Sequence, residues 1–258
     1  MKPGDSKTIK QVDKRSGSFL LKPIDLMFHE DVYYKIGGFL ILGLLLFFAT
    51  WAVFMFLLKK PNLLADSFMV QKLFKVETLK SIGPWGAKTF GTTWHLFSWK
   101  IDVAQAFAVW GNVILITFEF FLHHLIFIVL FIFGLNHFKI GRTNLSVIYF
   151  GVFTIFWGIT IGTGSLSYPV GNNAIFGSLL LFARYGLWNW FAYLLLLAST
   201  YQFSWLALPG WTSWSWEKTR KFWPASFTPD QVEVFIYGLL FLLASSFAEA
   251  RIFVHYNL

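Results

Sequence analysis

The sequence predicts an all-α fold: a polytopic transmembrane helical bundle of about five spans, with a re-entrant half-helix and an interfacial amphipathic helix. Three observations predict it. Of 258 residues, 56% are hydrophobic and only 13% charged, and mean hydropathy is +0.59. A soluble domain carries about 25% charge, so this chain cannot cover a water-facing surface with ions. Its 32 Phe and 13 Trp suit lipid-facing surfaces and interfacial belts. Long runs almost free of charge recur at lengths that match roughly 30 Å of hydrocarbon. The same composition excludes disorder, collagen and coiled coil. With no Cys there is no disulfide framework, thiolate metal site or cysteine nucleophile.

Residues 1–35 read as a polar, basic arm carrying Lys2, Lys7, Lys10, Lys14, Arg15 and Lys22. Asp5, Asp13, Asp25 and Glu30 interrupt it and no apolar core follows, so it is not expected to be a cleavable signal peptide. Residues 36–58 contain no charge and form the first span, stopped by Lys59, Lys60 and Pro61. The segment 59–105 is extramembrane or interfacial. Apolar positions 69, 73, 76 and 79 follow helical spacing between its charges, which predicts an amphipathic helix, and 83–99 reads as a Gly- and Trp-rich loop at interface depth.

The transmembrane bundle occupies 106–258. Its second span is 106–138, closed by the basic turn 139–144, and its third is 145–161, notched by Gly158, Gly162 and Gly164 for close helix approach. Pro169, Asn172 and Asn173 then break the helix. The apolar stretch 174–183 is half a membrane long and ends at Arg184 and Gly186. Two readings stay open there: a half-helix turning at Arg184 before a full span over 187–208, or one crossing from 174 to about 198. The loop 209–229 gathers Trp211, Trp214, Trp216 and Trp223 around Lys218, Arg220 and Lys221, and 232–253 forms the last span.

The net charge of +8 flanks the apolar runs, the pattern of juxtamembrane anchors and of contact with anionic lipid. Nucleic acid is not expected, because no recognition motif accompanies the charge. The positive-inside rule puts the arm, the 139–144 turn and Lys218–Lys221 in the cytoplasm of a cell (inner) membrane. The seven Lys of 59–105 then lie outside, against the rule.

Candidate functional residues are the ions inside apolar runs: Glu119, His123, His124, Arg184, Glu249 and Arg251, together with the broken-helix residues Pro169, Asn172, Asn173 and Gly186. Glu119 and His123 share a helix face at i,i+4, the pattern of a proton relay, a cation site or a structural pair. Arg184 is expected to pair with Glu249 or Glu119, since an unpaired ion in hydrocarbon costs at least about 2.5–3.5 kcal/mol. Haem or chlorin on His123, His124 or His255 is disfavoured, because histidines do not pair at a recognisable spacing on two helices. Lipid is the expected ligand and no metal site is expected. No nucleotide-binding, hydrolase or zinc-protease motif occurs in a suitable context, so no catalytic residue is assigned.

Gly158-Ile-Thr-Ile-Gly-Thr-Gly164, Gly171-Asn-Asn-Ala-Ile-Phe-Gly177 and the closing Ala-Ser-Ser-Phe-Ala-Glu249-Ala250 resemble the glycine-rich and A-x-x-x-E-A elements of the stage II sporulation protein M family. The resemblance covers about 105–255. The family's Pro-His-Gly and following Glu correspond here to Arg184-Tyr185-Gly186 and Asn189. It implies an integral membrane partner in a multi-protein assembly. The expected function is a non-catalytic membrane subunit that anchors or scaffolds a larger assembly with other membrane subunits. The alternatives are a small permease or channel-like component using the broken helix, and a cofactor-bearing electron-transfer subunit.

Overall fold

The computed structural model of the chain describes residues 21–61, 63–64, 93–96, 99–102, 107–165, 178–180, 182–210, 212, 215–219 and 226–257. The helical stretch predicted around 69–79 and the residues Pro169, Asn172 and Asn173 lie outside them.

A short helix α1 (Leu21–Met27) leads into α2 (Val32–Ala52). Asp31, extended at φ −70° and ψ 131°, caps α2 by accepting from the Tyr33 N–H at 2.8 Å. The helix runs on through a π turn, Val53–Leu58, and stops at Lys59. That residue adopts φ 48°, and its N–H returns to the Phe54 carbonyl at 3.1 Å. A π turn Phe107–Gly111 opens α3 (Asn112–His124), and a second, Leu125–Val129, joins it to α4 (Leu130–Asn136). The run 107–136 is therefore helical throughout but divided.

Helix α5 (Leu145–Gly162) follows a tight turn. Thr154, Thr160 and Thr163 each donate to the carbonyl four residues back, at 2.7–2.8 Å, which satisfies their hydroxyls inside an apolar helix. Helix α6 (Leu187–Thr200) is preceded by the π turn Phe182–Gly186 and followed by a 3-10 turn, Tyr201–Phe203. Helix α7 (Pro229–Asn257) begins with a reciprocal cap. The Thr228 N–H donates to Gln231 Oε1 and the Gln231 N–H to Thr228 Oγ1, at 3.0 and 3.3 Å. Pro229 fills the first helical position, where no N–H is needed.

Among the described residues three helices are long and apolar enough to cross a membrane: Val32–Leu58, Leu145–Gly162 and Pro229–Ile252. Ser178–Arg184 and Leu187–Phe203, bent by 48°, make a fourth if taken as one broken span. These helices mark the chain as a membrane protein.

Helix α6 is the axis of the bundle. Every residue from Ala192 to Thr200 is buried, as expected of a helix apolar all round. It runs antiparallel to α2, through the Phe39–Tyr201 and Phe47–Phe182 ring contacts, and to α5, through Phe153–Tyr193 and Trp157–Phe182. It is antiparallel to α7 as well, where Gly238 admits Leu196, and parallel to α3 and α4. Helices α2 and α5 pack closely along the predicted glycine notch. A Cβ on Gly158 would lie 2.9 Å from Thr50 Cβ, and one on Gly162 would lie 2.8 Å from the Trp51 carbonyl oxygen. Gly164, at φ 67°, ends α5.

The starts of α2, α5 and α7 and the ends of α4 and α6 thus gather at one end of the bundle. A small sheet covers that end, in the order β4-β3-β5-β6: β3 (Phe138–Ile140), β4 (Thr143–Asn144), β5 (Leu206–Leu208) and β6 (Glu217–Lys218). Strands β3 and β5 are parallel and the outer pairs antiparallel. The apolar span predicted over 187–208 therefore stops early. The Trp205 and Leu206 N–H groups both donate to the His137 carbonyl, at 2.8 and 2.9 Å, and draw the chain into the sheet.

A second pair of strands departs from the all-α expectation within a mostly helical chain. Strands β1 (Thr93–Leu96) and β2 (Trp99–Asp102) form an antiparallel hairpin where a loop was expected. Thr-Trp-His-Leu and Trp-Lys-Ile-Asp are rich in aromatic and β-branched residues, a strand signal that the loop reading of 83–99 passed over.

Candidate functional site

Helices α3, α6 and α7 bring five polar side chains together half-way along the bundle. Glu249 Oε2 lies 3.2 Å from His124 Nε2, and His124 Nδ1 lies 2.6 Å from the Tyr193 hydroxyl. The Asn189 amide donates to the same Glu249 oxygen at 3.4 Å, and Ser245 Oγ donates to Asn189 Oδ1. All five are buried, Tyr193 to 1% exposure and Glu249 to 5%. His124 stands twelve residues before the end of α4, roughly 18 Å from the sheet at 1.5 Å per residue. A π turn begins directly after His124, and another ends three residues before Asn189.

The two contacts of the His124 ring are compatible with two hydrogen-bond patterns. With a neutral imidazole, Nε2–H donates to the carboxylate and Tyr193 donates to Nδ1. With an imidazolium, both ring N–H groups donate and the Tyr193 oxygen accepts. The two states differ by one proton and share their heavy-atom positions. Both nitrogens of His124 are engaged, which leaves that ring no lone pair for a haem or chlorin in this arrangement. Among the described residues no three of His, Asp and Glu converge to hold a metal ion.

The remaining predicted residues are scattered. Glu119 is exposed on α3, among exposed Leu115, Phe118, Leu122 and Ile126. His123 is half-buried, its ring 5.9 Å from that of His124. The imidazole that meets Glu249 is His124, which the sequence placed beside His123 in the same apolar run. Arg184 is exposed in the π turn Phe182–Gly186, and Arg251 is exposed on α7. The expected pairing of Arg184 with Glu249 or Glu119 is not formed, because His124 and Asn189 occupy Glu249 and Glu119 faces outward. Gly186 lets the Phe182 ring lie against the backbone; a Cβ there would meet it at 2.6 Å. His255 lies in α7.

Sequence reasoning missed Tyr193 and Ser245, and used Asn189 only as a departure from a family motif. A signal was present: Asn189 with Tyr193, and Ser245 with Glu249, are i,i+4 polar pairs in otherwise apolar helices. Each therefore shares a face, turned here toward the bundle interior.

The chain matches no family model, no curated protein and no solved structure.

Proposed function

We propose that the chain is a non-catalytic integral membrane subunit that anchors or scaffolds a larger membrane assembly. In this reading it crosses the bilayer five times, over 32–58, 107–136, 145–162, 178–203 and 229–257, with the N-terminus in the cytoplasm of a cell (inner) membrane. The alternating directions of these runs support it. So do Lys139, Arg142 and Lys218, which lie with the start of α2 at the sheet end, as positive-inside orientation requires.

One observation carries the reading. Glu119, Arg184 and Arg251 all turn outward from apolar runs, beside exposed large apolar residues such as Phe118, Leu122, Leu180, Trp188, Leu243 and Phe247. An ion facing acyl chains costs several kcal/mol, whereas the same ion facing a neighbouring subunit is neutralised. The resemblance to the stage II sporulation protein M family supports the same conclusion. Purification of the full chain from its native membrane in mild detergent is expected to retain further subunits at fixed stoichiometry. A lone monomer that moves solute in liposomes would overturn the proposal in favour of a permease. The 48° bend, with Trp157 Nε1 and Ser178 Oγ buried near it without hydrogen-bond partners, is what favours that second reading.

A further inference from the structure

We infer that one neighbour in the assembly is a second copy of this chain, docked head to tail so that Glu119 of one copy meets Arg251 of the next. The inference rests on the membrane-embedded reading above and adds the partner's identity. Copies in a bilayer are related by an axis along the membrane normal, so every residue keeps its depth. An ion pair between copies thus requires an anion and a cation at the same level of one chain. Phe120 packs in one core cluster with Ala250 and Val254, and His124 bonds Glu249 at 3.2 Å. Glu119 and Arg251, each next to one of those residues, therefore share a level. Both are exposed, and neither has an ion-pair partner among the described residues.

The surfaces around them are complementary in shape as well as in charge. An apolar groove of about 440 Å³ lies between α3 and α7, walled by Ile114, Thr117, Phe118, Leu243, Ala244 and Phe247. Arg251 follows Ala244 and Phe247 by seven and four residues, on the same stripe of α7 and at the groove's end. Glu119 projects from a ridge of exposed Leu115, Leu122 and Ile126, a different face of α3 from the one that walls the groove. Ridge and groove are distinct patches, so the contact is heterologous and closes into a ring when the rotation allows.

The chain has no native cysteine, which makes the test direct. Two copies with different tags are co-expressed, one carrying Glu119→Cys and the other Arg251→Cys, and their membranes are treated with an oxidant. A mixed-tag disulfide is expected. Two Glu119→Cys copies are expected to give none, and neither is Phe48→Cys with Arg251→Cys, since Phe48 is exposed on α2. In the cysteine-free chain, Glu119→Arg should lower capture of one tagged copy by the other about tenfold or more, and Glu119→Arg with Arg251→Glu in every copy should restore it. The proposal is overturned if both cysteine variants resist alkaline extraction yet give no mixed product. It is equally overturned if the Phe48 control cross-links as readily, or if the chain is a monomer retaining anionic phospholipid through Arg251. Release of the unmodified chain by alkaline extraction would instead overturn the embedded reading itself.

Discussion

At the sheet end, Asn136, Asn144, Ser146 and Thr200 bind one another through neutral groups. The Asn136 amide donates to Thr200 Oγ1 at 2.6 Å, while its carbonyl oxygen accepts from Asn144 at 3.2 Å and from Ser146. The Asn144 amide also donates to the Tyr201 carbonyl at 2.6 Å. Half-way down the bundle, Tyr193, His124, Glu249, Asn189 and Ser245 form a chain of similar size around an imidazole and a carboxylate. The first cluster is as buried as the second, with Asn136, Asn144 and Ser146 at 0% exposure and Thr200 at 2%, but all its members are neutral. The second is enclosed by three helices and holds a carboxylate that needs its donors. The sheet-end cluster therefore fixes a turn, and the central cluster fixes the mutual register of α3, α6 and α7, because any slip would strand a buried carboxylate.

The largest effect should come from breaking the central pair one-sidedly. His124→Leu leaves Glu249 buried with Asn189 alone and is expected to cost about 3–5 kcal/mol of stability, as for other buried ion pairs. His124→Leu with Glu249→Leu removes both partners and should recover most of that loss. Thermal unfolding in detergent, followed by size-exclusion fluorescence, reads both. Equal damage in the single and double variants would show that packing, not charge, holds the three helices together.

Asn136→Ala is the matching deletion at the sheet end. It removes three side-chain hydrogen bonds, but Thr200 still donates to the Leu196 carbonyl at 2.6 Å and Asn144 to Tyr201. About 2 kcal/mol is expected, because only neutral bonds are lost and no ion is left without a partner. The loss should be insensitive to pH between 5 and 8, since none of these groups titrates there. A loss as large as that of His124→Leu would remove the distinction between the two regions.

The same contrast sets what was legible in the sequence. Apolar runs announced α2, α5 and α7 because a lipid-facing helix needs hydrophobic residues on every side, and Gly158 and Gly162 announced the close approach of α2. The strands of the four-stranded sheet were hidden, because β3 and β5 are three residues long and their mutual pairing joins distant parts of the chain. At the site, Glu249 and His124 stood out as ions in apolar runs. Their pairing did not, since it depends on how α3 and α7 are rotated, and hydrophobicity nearly uniform around both helices leaves that rotation unmarked. Arg184 looked like the natural partner on charge alone. A neutral imidazole, however, can satisfy a carboxylate by hydrogen bonding without bringing a second permanent charge into the core.

One deletion made twice sharpens the comparison at its smallest scale. Tyr193 and Tyr201 lie two turns apart on α6 and its 3-10 extension, and each hydroxyl makes one short bond. Tyr193 reaches His124 Nδ1 at 2.6 Å, and Tyr201 donates to the Arg142 carbonyl at 2.7 Å. Changing either to Phe removes a single oxygen from an otherwise unchanged ring. At Tyr201 the freed acceptor is a backbone carbonyl in an exposed turn, which water can take over, so the cost should be no more than about 0.5–1 kcal/mol. At Tyr193 the freed group is a ring nitrogen that no water reaches, and the cost should rise to about 1–3 kcal/mol. Thermal unfolding of the two variants in detergent reads the difference. Equal costs would mean that water enters between α3, α6 and α7 and takes the place of the lost Tyr193 hydroxyl.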